Sequence, residues 1–279
     1  MAQLGAKIEL YPTAKNPLET AWRDVINGFG SWRLWLVLGY RDMRAQYSRS
    51  FLGPFWQTIH AAIWISSLAF IFTHVFEVDQ NINEFVIYIA IGLIIFNYIN
   101  AIVTGASDLF IRSRILIHAY PAPIFIHPLR LVSAAIFQFL FQLVAVLPFF
   151  LLFPIDFAPS APLALIGLLL VGLMSISIAT LLAIVGARFG DFQFIVLAIM
   201  RVMFFVTPIF WTLDQWSGAP LQLVTLNPIT NFITIVRDPL LGKIPDFLVY
   251  AKVIFWLIFT SLVGAVWFVR ARQTIAMWV

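Results

Sequence analysis

The sequence predicts an all-α polytopic membrane protein, and three observations predict it. Of its 279 residues, 62% are hydrophobic and only 11% charged, against roughly 45–50% and about 25% in soluble domains. Six apolar segments each come close to the ~20 residues that a helix needs to cross a bilayer. The basic residues gather on one side of those segments.

The elements follow in order. Residues 1–16 are polar, contain Pro12, and read as a loosely held arm. From Trp22 the apolar residues recur as Trp22, Val25, Ile26 and Phe29, a helical stripe that Gly28 and Gly30 interrupt. A second stripe, Trp32, Leu36, Met43 and Tyr47, lies opposite Arg33, Arg41 and Arg44 and predicts a helix lying in the membrane surface. The run from Trp32 to Tyr40 falls well short of the ~20 residues of a span. Residues 1–53 are thus expected to form a cytoplasmic arm with interfacial helices, and 54–279 a six-helix transmembrane domain. The spans are placed at about 54–76, 84–109, 128–153, 162–187, 193–212 and 248–269.

Charge sets the orientation. Lys7, Lys15, Arg23, Arg33, Arg41, Arg44, Arg49, Arg112, Arg114, Arg130, Arg188, Arg270 and Arg272 fall on one face, thirteen of the seventeen basic residues. The opposite face has Glu77, Asp79, Glu84 and Asp156, with Arg237, Lys243 and Lys252 in its last connection. The basic face is expected to be cytoplasmic, with both termini inside. Residues 1–30 hold Lys7, Glu9, Lys15, Glu19, Arg23 and Asp24 without an apolar core, which argues against a cleaved signal peptide.

Segment 213–247 is too apolar for a free loop yet is cut by Pro220, Pro228, Pro239 and Pro245. Two short helices dipping back into the outer leaflet fit it, since broken helices at membrane depth need protein or a wet cavity around them. An amphipathic hairpin resting on the outer surface is the alternative.

Several chemistries are excluded. Without cysteine there is no disulfide framework and no thiol nucleophile. His60, His74, His118 and His127 lack metal-ligand spacing, so no metal site is expected. No G-x-S-x-G elbow occurs. No G-x-x-x-x-G-K-[ST] run occurs either; Gly167 and Gly172 have two glycines at that spacing without the lysine. If ATP drives this protein, a separate polypeptide must hydrolyse it.

The stretch from Tyr40 to Trp56, YRDMRAQYSRSFLGPFW, sets Arg41, Arg44 and Arg49 beside Tyr40 and Tyr47, breaks at Leu52-Gly53-Pro54 and enters the first span. Guanidinium groups and aromatic rings in that order suit the lipid–water boundary. This stretch closely resembles the segment before the first span in permease subunits of type 2 ABC transporters, in the branch that exports O-antigen, capsule and teichoic acid. Val206-Thr207-Pro208-Ile209-Phe210-Trp211 resembles the end of that family's fifth span. Leu226-Asn227-Pro228 through Arg237-Asp238-Pro239 resembles its outward re-entrant segment. Arg112, Arg114, Ile115, Leu116, Ile117 and His118 occupy the place of its coupling helix, with fewer lysines than many relatives carry. Asp191 in the next basic-side loop is a second candidate contact.

The resemblance implies a homodimer with a shared channel in a bacterial inner membrane, bound to two copies of an ATPase that holds the ATP and Mg. A lipid-linked polysaccharide, O-antigen foremost, would enter past Tyr40, Arg41, Arg44, Tyr47, Arg49, Leu52, Gly53 and Trp56. It would leave past Asn227, Pro228, Arg237 and Asp238. The arginines also suit plain contact with lipid headgroups, and nucleic acid is not an expected partner.

Inside the spans, Asn97 and Asn100, and Gln138 and Gln142 one turn apart, read as inter-helix hydrogen-bonding groups worth typically under ~2 kcal/mol each. Arg201 needs a partner such as Asp108, a wet path or headgroups. Ser175, Ala179 and Ala183 form a small-residue stripe for close helix packing. Phe96, Tyr98, Trp56 and Trp64 are candidates to line a glycan path. The competing readings are a permease for small lipids or drugs and a membrane enzyme acting on lipid-linked sugars. The scatter of Asp214, Asp238 and Asp246 speaks against the enzyme.

Overall fold

A computed structural model describes residues 16–75, 81–120, 122–153, 159–213 and 217–279. The loosely held arm with Lys7 and Lys15, the acidic residues Glu77, Asp79 and Asp156, and Asp214 lie outside the described residues. Helices α1 (Pro17–Gly30) and α2 (Trp32–Ala45) precede α3 (Phe55–Phe70), which runs into a π-helical turn (Ile71–Val75). Next come α4 (Ile82–Ala106), the short α5 (Leu109–Arg112) and α6 (Arg114–Ala119), α7 (Ile126–Leu152) and α8 (Leu163–Arg188). The chain ends with α9 (Phe192–Val206), α10 (Ala219–Leu226), α11 (Pro228–Leu240), α12 (Phe247–Ala271) and α13 (Ile275–Trp278).

Among the described residues, five helical segments are long and apolar enough to cross a membrane: Phe55–His74, α4, α7, α8 and α12. The expected fifth span, 193–212, is shorter than predicted. Its helix stops at Val206 because Pro208 has no N–H to continue the ladder, so α9 has fifteen residues and a length of about 22 Å. The irregular turn 207–211 completes the segment.

The core is built around α4, whose apolar residues are buried on nearly every side, Phe85 through Phe96 among them. Helices α3, α7, α8, α9 and α11 surround it. The outward faces remain apolar: Leu151, Leu165, Leu169, Phe255 and Leu262 are all exposed. Such a surface matches a bilayer, not water. The small-residue stripe of α8 is buried as its composition predicts, at Ser175, Ala179 and Ala183.

The paired N-terminal helices show which faces meet protein. On α1 the predicted stripe of Trp22, Ile26 and Phe29 is exposed, and the buried face is Ala21, Asp24 and Gly28. Helix α2 packs along α7 and buries Gly39 and Met43. At Gly39 any Cβ would sit 1.8 Å from Ser133 Oγ and 2.8 Å from the Arg130 carbonyl, so only glycine permits this approach. Met43, placed by its periodicity on the apolar stripe, is fully buried against the bundle.

The segment expected to re-enter the membrane contains two short helices, α10 and α11. Asn227 caps α11, its side chain accepting from the Ile229 N–H at 3.0 Å, with Pro228 at the first helical position. Helix α11 packs between α8, α12 and α4 and is buried along nearly its whole length. Helix α11 is thus enclosed by protein, while Leu223 and Leu226 of α10 are exposed.

Candidate functional site

The stretch 40–56, the cavity behind it and the helix breaks at the far end each bring polar groups together. After α2 the chain turns through Gln46–Pro54, and Gly53 adopts φ 55°, a left-handed conformation that glycine takes without steric cost. Tyr40 packs edge-on against Phe137, with centroids 5.4 Å apart. Arg41, Arg44 and Arg49 are exposed and form no ion pair with a described residue. Leu52 is exposed as well. Trp56 turns back to donate its indole N–H to Ser50 Oγ at 2.8 Å, tying the loop to the start of α3.

From this loop a chain of hydrogen bonds runs inward. Gln57 Nε2 donates to the Tyr47 hydroxyl at 2.7 Å, Gln142 Nε2 to Gln57 Oε1 at 3.3 Å, and Asn97 Nδ2 to Gln142 Oε1 at 3.0 Å. A parallel bond joins Gln138 to Gln46 at 3.3 Å. Burial raises the Tyr47 phenol above its ordinary value, with the Gln57 bond opposing it, so the hydroxyl stays protonated at neutral pH. Of the amides expected to bridge helices, Asn97, Gln138 and Gln142 do so, Gln138 reaching Gln46 and Gln142 reaching Gln57, while the Asn100 side chain bonds no described residue.

These amides line a cavity of about 540 Å³ between α3, α4, α7 and α9. Asn100, Thr104, His60, Arg201, Trp64, Phe96 and Phe204 share it. A second cavity of about 650 Å³ lies nearer the end where α5 and α6 sit, lined by Asp42, Gln46, Arg112 and Arg130. Thr104 and Gln138 border both, so the two adjoin. Trp64 and Phe96 face the first cavity as expected of path-lining aromatics. Tyr98 does not: it is buried edge-on against Phe139, 5.7 Å away. Trp56 also stays out of it.

The expected Arg201–Asp108 pairing does not form. Asp108 instead pairs with Arg112 at 2.9 Å, one helical turn along the same short element. Arg112 further donates to the Gly105 carbonyl at 2.6 Å, which stitches the end of α4, while its side chain stays 56% exposed. In the rest of the coupling candidate, Arg114 is exposed and Ile115 is 77% exposed, while Ile117 is buried beneath them and Leu116 lies between. His118 Nε2 lies 3.1 Å from the Val279 carbonyl, which joins α6 to the C-terminal turn. Asp191 is exposed in the turn between α8 and α9, beside Arg188.

Sequence reasoning missed two acidic anchors. Asp42, inside the arginine-rich stretch, forms a two-pronged ion pair with Arg130 of α7. Asp24 is buried and accepts from the backbone N–H groups of Ile124 and Phe125 at 3.2 and 2.9 Å and from Arg272 at 2.8 Å. An acid on the small-residue face of an amphipathic helix was the available signal.

At the far end, the separate T-P and N-P stretches become one assembly. Asn227 Nδ2 donates to Thr207 Oγ1 at 3.0 Å, and Asn231 Nδ2 to the Asn227 and Thr225 carbonyls. Arg237, counted from sequence among the charges of an outer connection, is 2% exposed. Its guanidinium stacks 3.5 Å over the Tyr88 ring and donates to the Pro208 carbonyl at 2.6 Å. Tyr88 donates to the Pro208 and Trp211 carbonyls. The Pro208 and Trp211 carbonyls of the turn 207–211 are thereby satisfied by side chains, and the Trp211 indole N–H donates back to the Phe205 carbonyl at the end of α9, as a broken helix in lipid requires. A cavity of about 420 Å³ opens here, lined by Glu84, Arg237, Asp238 and Lys243.

An all-helical, multi-pass membrane protein with a polar cavity threading its helices and an interrupted helix at one end belongs to the class of transport subunits. The model of the ABC-2 type transporter family matches residues 33–241, and the chain belongs to that family. It is also 25% identical over 207 residues to the O-antigen export system permease protein RfbA of Myxococcus xanthus, covering 72% of this chain and 77% of that protein. With the protein of the same description from Klebsiella pneumoniae it shares 25% identity over 212 residues, 74% of this chain and 79% of the relative.

Proposed function

We propose that this chain is the channel-forming subunit of an ATP-driven exporter that moves a lipid-linked surface polysaccharide, O-antigen foremost, across a bacterial inner membrane. The observation that carries the reading is the likeness to two permeases described as O-antigen exporters, each aligned over more than seven-tenths of the chain. The adjoining polar cavities support it, since a glycan needs hydroxyl partners and aromatic faces along its way.

In this reading the end bearing α5 and α6 is cytoplasmic, with both termini inside, and two copies pair around a shared path. The chain is no enzyme itself. ATP and Mg belong to a nucleotide-binding partner, two copies of which press on Arg114 and Ile115 of α6 and on Asp191. Arg41, Arg44 and Arg49 receive the phosphate end of the lipid carrier at the membrane surface, and Tyr40 and Tyr47 meet the first sugars. Asn227, Pro228, Arg237 and Asp238 hold the outer exit. Membrane lipid surrounds the rest.

Deletion of the gene with complementation tests the reading. Surface O-antigen should vanish and lipid-linked glycan should accumulate inside. Unchanged surface glycan refutes it.

A further inference from the structure

The two adjoining cavities hold three guanidinium groups, and these are unequally partnered. Arg130 is closed by Asp42, and Arg112 by Asp108. Arg201 has no carboxylate within ion-pair distance among the described residues, and no Asp or Glu lines its cavity.

Arg201 is the tenth residue of α9. It therefore lies about 13 Å along the axis from the helix start, deep for an unneutralised charge in a membrane segment. The polar groups sharing the cavity with it are amides, Thr104 and His60. Gln57, Gln142 and Asn97 are already committed to one another. Asn100 is different: its side-chain amide is engaged by no described residue, and it lines the same cavity. A guanidinium fork and an idle amide lining one cavity, without a carboxylate among its lining residues, fit the oxygens of a phosphate ester.

We propose that Arg201 and Asn100 form a phosphate-binding station inside the translocation cavity, where the phosphate head of a lipid-linked glycan is held partway across. The station rests on the export reading above. Phosphate esters reach this depth from two sources, bilayer phospholipid and the glycan carrier, and the test separates them by mass.

The full chain, purified in detergent, is incubated with geranyl pyrophosphate and measured by native mass spectrometry, where probe and phospholipid adducts differ in mass. Wild type should carry the probe, and Arg201→Gln should lower the bound fraction about tenfold through loss of the charged fork. Arg201→Lys should fall between them. Asn100→Leu keeps the charge and should still weaken binding severalfold, and it decides the matter alone if Arg201→Gln fails to fold. Unchanged probe binding in both Arg201→Gln and Asn100→Leu overturns the station. Loss of phospholipid adducts in Arg201→Gln, with no probe bound by any form, overturns its assignment to the glycan carrier. Surface glycan of the same strains separates the two claims. If gene deletion leaves surface glycan unaltered, the export reading fails. If deletion abolishes it while Arg201→Gln exports and binds as wild type, only the station fails.

Discussion

Asp24→Ala should release α1 from the bundle. The carboxylate is 3% exposed and bonds Arg272 at 2.8 Å together with the N–H groups of Ile124 and Phe125. It thus fastens three separate places: α1, the start of α7 and the end of α12. Removing one member of a buried pair costs about 3–5 kcal/mol, because the other charge is left without compensation. Arg272 is itself 8% exposed, so water cannot easily take over. The two freed backbone donors add to the cost, each by about 1–3 kcal/mol where they stay dry. Taking the ion pair alone, hydrogen exchange across 17–30 should quicken by roughly 10²- to 4 × 10³-fold, at about 1.4 kcal/mol per decade. Hydrogen–deuterium exchange in detergent, read on peptides from α1 and from 122–126, measures it. Asp24→Ala combined with Arg272→Leu should recover much of the loss, since the stranded charge is then gone. Unaltered exchange in Asp24→Ala, or a double variant as impaired as the summed singles, would show that the pair does not hold α1.

Four further outcomes follow from the same geometry. Gly39→Val should force α2 off α7 at a cost of about 1–3 kcal/mol or more, seen as a lower melting temperature in detergent, because its Cβ would meet Ser133 Oγ at 1.8 Å. Tyr88→Phe keeps the ring under Arg237 and loses only the hydroxyl bonds to Pro208 and Trp211, about 1 kcal/mol; Arg237→Ala removes the stack and the carbonyl bond together and should lower the melting temperature several times more. Ile115→Asp, at a 77% exposed position, should leave folding intact yet reduce co-purification of the ATPase, whereas Ile117→Asp, at 7%, should impair folding itself; equal behaviour of the two would sink the docking assignment. Gln57→Leu should cut the link from Tyr47 to Gln142 and slow export with little change in melting temperature, since bonds of this kind average about 0.6 kcal/mol in membrane proteins.

Much of the fold could be read from the chain because lipid imposes few rules and enforces them strictly. Long apolar runs had to be helices, and the predicted limits of α4, α7, α8 and α12 fall within a few residues of those observed. The polar amides inside spans stood out for the same reason, and Gln142 with Asn97 meets as expected. What stayed hidden depends on facing. Periodicity marks an apolar stripe but not whether lipid or protein covers it. On α1 the apolar stripe faces outward and the small residues face inward, while on α2 Met43 goes inward. Counting Arg237 among loop charges failed differently: its burial depends on Tyr88 and Pro208, which are far away in sequence. Asp24 and Asp42 were overlooked because an isolated acid on a surface helix ordinarily faces water.

The arrangement of weak and strong links bears on how such a subunit would work. Ion pairs fix the ends: Asp24 with Arg272, and Asp42 with Arg130. Between them, the stretch 46–54 connects to the cavity through neutral hydrogen bonds, from Tyr47 by way of Gln57 and Gln142 to Asn97 and from Gln46 to Gln138. Apolar contact between helices has little hydrophobic driving force inside lipid, so it would hold one position of α3 against α7 about as well as another. A few amide bonds, together worth about 2 kcal/mol, prefer one arrangement without locking it. That is the scale a ligand or a partner subunit can overcome by binding one state better. A passing glycan presents hydroxyls that substitute for the same amide partners, so opening the ladder and solvating the substrate would be one exchange of hydrogen bonds. Apolar side chains at Gln57 and Gln142 would pack equally well and leave nothing to exchange.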